Sequence, residues 1–384
     1  MRRWAVALLT LVLAACATGP VTPRTESLFH DRLFAAPSER ISADDVFALS
    51  PQMERFLKVD IAAELASKGA REALIDAIYS KGQLRIEYDS VLTRNAAQAF
   101  AARSGNCLSL VVMTAAFARA LGLPVQFQSV SVDQTVSRND DLFFFIGHVN
   151  LTLGTRQVAV GVKPQGTPDL MTVDFLPPQQ TQGLRTRPIG EKTIVAMYMN
   201  NRAAEALARE RVDDAYWWAR AAIGQDPAFL STYNTLGVIY RRHGNPAEAE
   251  KVLAYALERD PANTHVMSNL VRVLDDLGRT ADARSLARRL QELDPNPTFS
   301  YFKPGLQAMR DGNYKAARDL FAKEVDRAPY YHEFRFWLAN AYAGMGDVER
   351  ARREMALAVE YSTSRRDHDL YAGKLDRIRA SRLQ

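Results

Sequence analysis

The chain has 384 residues, enough for two domains or more, each with its own core. Hydrophobic residues make up 47% and charged residues 24% of it, an ordinary globular mix. The formal net charge of +5 comes without a dense Lys/Arg run with interleaved aromatics. Nucleic acid is therefore not an expected partner, and the arginines read as solvated helix faces.

Residues 1–15 read as a signal peptide. Arg2 and Arg3 give a positive start, and Trp4 to Val12 give an apolar stretch too short to span a bilayer comfortably. The stretch ends Leu13-Ala14-Ala15-Cys16. A small-residue site ending in cysteine resembles the bacterial lipobox, which implies that Cys16 is acylated and becomes the mature N-terminus. Ala17 in place of Asp implies, by the same resemblance, the outer membrane, facing the periplasm. The alternative is an ordinary signal peptide. The chain has two cysteines. With Cys16 lipidated, Cys107 has no disulfide partner, and a lone thiol in an oxidising compartment is a candidate nucleophile.

Residues 16–42 are rich in Pro, Thr and small residues and read as a lipidated tether. Ser42 and Asp45 have the spacing of a capping box, so helix is expected from there, with breaks, to Ile78. Lys81-Gly82 breaks the pattern. Leu84 to Tyr88 alternates, as a short strand or an extended link. Thr93 to Ala102 is a further helix, with Ala97 and Phe100 facing inward. The polar turn Ser104-Gly105-Asn106 then delivers Cys107 onto the first turn of an apolar helix. That helix runs to Ala120 and stops at Gly122, with Pro124 beyond. It is apolar almost all round, which predicts a buried helix. A thiol at a helix N-terminus meets the positive end of the macrodipole, which favours thiolate, the nucleophilic form. The opposing reading makes Cys107 a small core hydrophobe.

After Pro124 the period changes from helical to alternating. Strands are expected at Val125–Val132, Leu142–Leu153, Gln157–Val162 and Leu170–Leu176, with a loop at Asp133–Asp141. Helices followed by strands give an α+β domain over residues 43–190, its sheet antiparallel.

Beyond it the strand signal disappears. Pro227, Pro261, Pro295 and Pro329 lie 34 residues apart, the tetratricopeptide (TPR) period. The second repeat carries Tyr233, Leu236, Gly237, Tyr240, Ala249, Leu253 and Ala256 in that pattern. Small residues let paired helices approach, large ones fill the gaps, and proline ends the second helix. Residues 191–363 therefore read as an all-α solenoid whose groove binds a protein or peptide, and 364–384 as a C-terminal capping helix.

Three side chains could form a reactive site. On the strand through His148, the residues His148, Asn150 and Thr152 share a face. Asp174 sits between apolar neighbours, where a carboxylate needs a partner. The pattern gives Cys107 as nucleophile, His148 as base and Asp174 as orienter. The remaining histidines are scattered and no pair has ligand spacing, so no metal is expected; no cofactor-binding loop is visible either.

Gly105-Asn106-Cys107-Leu108-Ser109 on a helix, then Gly147-His148-Val149 and Val173-Asp174-Phe175 on strands, resembles the transglutaminase-like superfamily. The resemblance covers roughly residues 85–180. It implies a papain-like fold and catalytic roles for Cys107, His148 and Asp174. No residue matches that family's side-chain oxyanion donor. The activity it implies is that of a cysteine peptidase or amidase working through a thioester, with water or an amine as acceptor. A non-catalytic envelope scaffold, using the TPR groove for a partner, is the alternative.

Overall fold

In the computed structural model the first α-helix among the described residues begins at Pro51 rather than near Asp45. Ser50 caps it, accepting the Met53 N–H at 3.3 Å, and Pro51 fills the first helical position, where no N–H is required. No capping box forms at Ser42. The Val46 N–H turns back to the Ala43 carbonyl, and the Val46 carbonyl accepts from Ala96 N–H at 3.0 Å. The Val46 N–H thus closes a short turn on Ala43 instead of reaching the Ser42 carbonyl, the bond that would open a helix capped at Ser42. The structure describes residues 25–79, 84, 86–130, 136–139, 142–145, 147–155, 169–181 and 183–380. Cys16, the signal stretch and the strand expected at Gln157–Val162 lie outside them.

The described residues fall into two units that divide between Ala35 and Ala36. The described part of the first holds two short turns of 3₁₀ helix, Thr25–Leu28 and Asp31–Leu33. In the second, α1 (Pro51–Arg55) continues through a widened π turn into α2 (Ala62–Lys68), and α3 (Ala70–Tyr79) follows. β1 (Glu87–Tyr88) comes next, then α4 (Ala96–Ala102) and β2 (Ser104–Gly105). β1 and β2 pair in parallel, with Tyr88 opposite Gly105. Ala96 and Ala99 form the buried face of α4, so Ala97 is not inward as expected. Phe100 does reach the core, its ring 5.5 Å from Phe56 and 5.6 Å from Phe117.

α5 (Cys107–Ala120) is buried without a break from Cys107 to Ala118, as its all-round apolar sequence requires. It packs on a four-stranded antiparallel sheet of order β7-β6-β3-β8. The strands are β3 (Val125–Val130), β6 (His148–Leu153), β7 (Met171–Val173) and β8 (Thr186–Ile189). Two expectations fail here. The loop expected at 133–141 contains β4 (Val136–Asn139), which forms a hairpin with β5 (Leu142–Phe145), so the long strand expected over 142–153 is two. β8 has no alternating pattern, and it contains Pro188. It is an edge strand, the place in a sheet where a residue without an N–H is tolerated. A short helix, α6 (Pro178–Thr181), lies between β7 and β8.

Five helix pairs follow: α7 (Glu191–Ala208) with α8 (Val212–Gln225), α9 (Ser231–Arg242) with α10 (Pro246–Arg259), and α11 (Thr264–Asp276) with α12 (Thr280–Leu293). Then come α13 (Phe302–Arg310) with α14 (Tyr314–Arg327), α15 (His332–Gly344) with α16 (Val348–Tyr361), and a terminal helix α17 (Arg365–Ala380). Close approach explains the small residues: a Cβ on Gly237 would lie 2.5 Å from Leu253 Cγ. Each turn inside a pair needs one left-handed residue. Gly244, Gly278, Gly312 and Gly346 supply it at φ 71 to 83°, and Glu210 takes the place at φ 62° in the first pair.

The first helix of the array is shared with the α+β part. Ile194 to Met199 are all buried on α7. Thr93 N–H donates to Glu205 at 2.6 Å, and Arg119 grips Glu191 at 2.8 and 3.0 Å. Residues 36–42, expected as the end of the tether, are bound as well. Ser38 donates twice to Asp214, at 2.7 and 2.8 Å, and Glu39 accepts from Trp218 Nε1 at 2.9 Å. At the other end of the array, Ser90 N–H donates to the Thr363 carbonyl at 2.9 Å and the two hydroxyls meet at 2.9 Å.

Candidate active site

Cys107 is the first residue of α5, and its place is fixed by the turn before it. Arg103 ends α4 in the left-handed region at φ 49°. Gly105 then lies so close to α5 that a Cβ would stand 2.7 Å from Ser109 Cβ. Asn106 caps the helix: its Oδ1 accepts from Ser109 N–H at 2.9 Å and Ser109 Oγ–H at 2.8 Å. Its Nδ2 donates to Thr93 at 2.9 Å, while Ser109 Oγ accepts from Arg94 N–H at 2.8 Å. The buried cap thus has its polar atoms paired, which holds the thiol at the helix start.

The sheet brings the other two residues. β6 pairs with β7 at Leu151↔Val173, so one step further Asp174 stands beside Asn150, just past the end of β7. There its carboxylate meets His148 Nε2 at 2.8 and 3.0 Å. Asn150 Nδ2 and Leu176 N–H each donate to it at 3.0 Å. Tyr79 ties down the Asp174 carbonyl at 2.7 Å. The other ring nitrogen, Nδ1, is buried without a hydrogen-bond partner among the described residues, and the Cys107 thiol lies near enough to the ring to favour its charged form. Cys107, His148 and Asp174 therefore converge. Cys107 and His148 are each 2% exposed, so the thiol is covered in this structure.

The electrostatics follow from this packing. Burial opposes charge on the His148 ring, but hydrogen bonds to Asp174 and Cys107, and their charges, outweigh it and raise its pKa to about 9. Burial likewise opposes charge on Asp174, yet His148, Leu176 N–H and Asn150 hold its carboxyl below the usual range. The pair is an imidazolium–carboxylate at neutral pH.

Tyr88 is the residue that sequence reasoning missed. Its register with Gly105 brings it near Cys107. Burial first, then the Cys107 charge, raises its pKa well above the ordinary phenol value. A two-residue parallel pairing leaves no local pattern that would have revealed this placement.

The tetratricopeptide repeat family model matches residues 240–303 and 308–372. Among solved structures, MamA is similar at 21% identity over 45% of this chain and 93% of its own, with a TM-score of 0.26. YrrB, described as a TPR protein with an unusual peptide-binding site, is similar at 22% over 47% and 92%, with a TM-score of 0.25. A thermophilic TPR protein from Thermus thermophilus is similar at 19% over 47% and 98%, with a TM-score of 0.30. No curated protein matches the chain. With the matched family and the helix pairs in register at the repeat period, the C-terminal region of this chain is a tetratricopeptide repeat array.

Proposed function

We propose that this chain is an envelope lipoprotein whose α+β part is a transglutaminase-like thiol hydrolase or acyl transferase, and whose repeats hold a protein or peptide partner. The observation that carries the reading is Asp174 gripping His148 Nε2 next to Cys107, the first residue of α5. In the reaction, Cys107 Sγ adds to a peptide or side-chain amide carbonyl and forms a C–S bond. The C–N bond breaks, and the leaving amine takes its proton from His148. Water or a second amine then attacks the thioester, passing a proton to His148 and freeing the thiol. Asp174 holds the ring throughout.

One observation favours the scaffold alternative: the thiol and ring are covered, so a substrate must displace their cover first. Iodoacetamide labelling, read by peptide mapping at Cys107, separates the two. The enzyme reading expects native labelling that His148→Ala slows by roughly tenfold or more, since the ring supports the thiolate. A thiol that labels only after denaturation, alike in both proteins, leaves Cys107 as packing.

Anchoring rests on Leu13-Ala14-Ala15-Cys16 and the apolar stretch before it. Mass spectrometry of membrane-extracted protein should find an acylated Cys16 N-terminus. An unmodified Ala17 N-terminus in the soluble fraction would overturn it. Outer-membrane placement facing the periplasm follows from Ala17 in the same reading.

A further inference from the structure

Asp174 lies one residue past the end of β7, so the ladder to β6 does not fix it. Its backbone is fastened instead by Tyr79, the last residue of α3. The Tyr79 hydroxyl donates to the Asp174 carbonyl at 2.7 Å, and the ring stacks on Phe175. What remains to be set is the plane of the carboxylate. Its two oxygens stand 2.8 and 3.0 Å from His148 Nε2, and each has one further donor among the described residues. Leu176 N–H donates to Oδ1 at 3.0 Å, a bond within the turn that Asp174 itself opens. Asn150 Nδ2 donates to Oδ2 at 3.0 Å, and this donor comes from the sheet. Asn150 sits on β6 between β3 and β7, opposite Gln128, so it shares one well-held strand with His148. Stability does not call for an amide at this place. Asn150 is 4% exposed, and its Oδ1 is buried without a hydrogen-bond partner among the described residues. A buried acceptor left unpaired costs stability, which an apolar side chain of similar size would not do.

We infer that Asn150 is a positioning residue, whose Nδ2–H holds the Asp174 carboxylate in the plane where both oxygens meet His148 Nε2 and so keeps the ring set beside Cys107. The inference rests on the thiol acyl-transfer reading above. Without this donor, Oδ2 keeps only the ring, and the carboxylate is free to turn about its Cβ–Cγ bond toward Leu176. The ring then loses its two-oxygen grip, and with it the fixed place from which it serves the thiol. Asn150 also helps to hold the Asp174 carboxyl below the usual range, so losing it lets that carboxyl protonate at a higher pH.

The test is iodoacetamide labelling of Cys107 in the full chain, read by peptide mapping across the acid and neutral range. It compares wild type, Asn150→Leu, His148→Ala and the double variant. Asn150→Leu should slow labelling at neutral pH by roughly tenfold, with a urea midpoint no lower than wild type. The acid limb of its rate profile should lie higher by about one pH unit. Tyr79 and Tyr88, which also act on this carboxylate, have raised pKa values and stay neutral over that range, so the limb reports Asp174, His148 and Cys107. On the His148→Ala background Asn150→Leu should change nothing, because its effect runs through the ring. Equal slowing on both backgrounds would make Asn150 a support for the thiol and overturn the assignment, as would an acid limb that does not move. Wild type that labels natively and is slowed by His148→Ala, yet is indifferent to Asn150→Leu, would sink this assignment alone. Wild type that labels only after denaturation would sink the acyl-transfer reading and this assignment with it. If Asn150→Leu lowers the urea midpoint, Asn150→Ser serves as the second variant, since its hydroxyl is too short to replace Nδ2. The same raised limb supports the assignment, and a wild-type limb counts against it.

Discussion

Raising the pH from about 6.5 to about 9 should cost the folded protein about 3 kcal/mol, and His148→Gln should abolish most of that loss. The unfolded ring titrates near 6.5, and the folded one is raised to about 9. A base with a raised folded pKa contributes stability that is complete below the unfolded value. That contribution disappears as pH rises through the folded value. The Asp174 carboxyl is lowered, so its share is present above the ordinary carboxylate range and lost as pH falls. The two shares describe one interaction and are not added. Urea midpoints measured between pH 5 and 10 for wild type and His148→Gln would show it. Parallel curves through the upper window would mean that the ring is not held charged by Asp174.

Residues 43–190 alone should not fold, whereas 36–259 should. Ile194, Val195, Met197, Tyr198 and Met199 are buried in a row on α7. A helix turns 100° per residue, so neighbours in a row cannot all face one partner; α7 is covered by α5 and by α8 at once. Cutting at 190 removes that cover from the α+β part. Each fully buried large apolar side chain contributes about 1.5–3 kcal/mol, so losing several rivals the total stability of a domain, about 5–15 kcal/mol. The cut also discards Glu205, which accepts from Thr93, the residue that holds the Asn106 cap. Circular dichroism and proteolysis of the two fragments decide the matter. A protease-resistant 43–190 fragment with a cooperative melt would show that the boundary near 190 is a true domain edge.

The repeats were legible because their physics is local and repeated. Each pair packs its neighbours through the same positions, so Pro227, Pro261, Pro295 and Pro329 announce the period. The same spacing in Gly244, Gly278, Gly312 and Gly346 carries the turn. The start of α5 was legible too, because Asn106 and Gly105 encode a cap and a tight turn within a few residues. What failed was decided at a distance. Ser42 has the right spacing for a cap, but the Val46 N–H bonds Ala43 rather than Ser42, and Ala96 draws Val46 toward α4. Pro188 argues against a strand in its own neighbourhood, and only the free sheet edge beside β3 admits it. Tyr88 lies outside any recognisable motif, since its partner Gly105 is chosen by the fold.

The bond between Ser90 and Thr363 spans 273 residues of chain. Closing so long a loop costs only slightly more entropy than closing a shorter one, but it cannot close early. A chain made from its N-terminus exposes Ser90 long before Thr363 exists. Until then the strand that carries Tyr88 is held by its local bonds to Arg103 and Gly105 and by the Arg94 guanidinium on Asp89. The fastening of Ser90 to Thr363 is therefore made only when the final helix pair is in place, so the order of synthesis sets when this strand is tied to the end of the array.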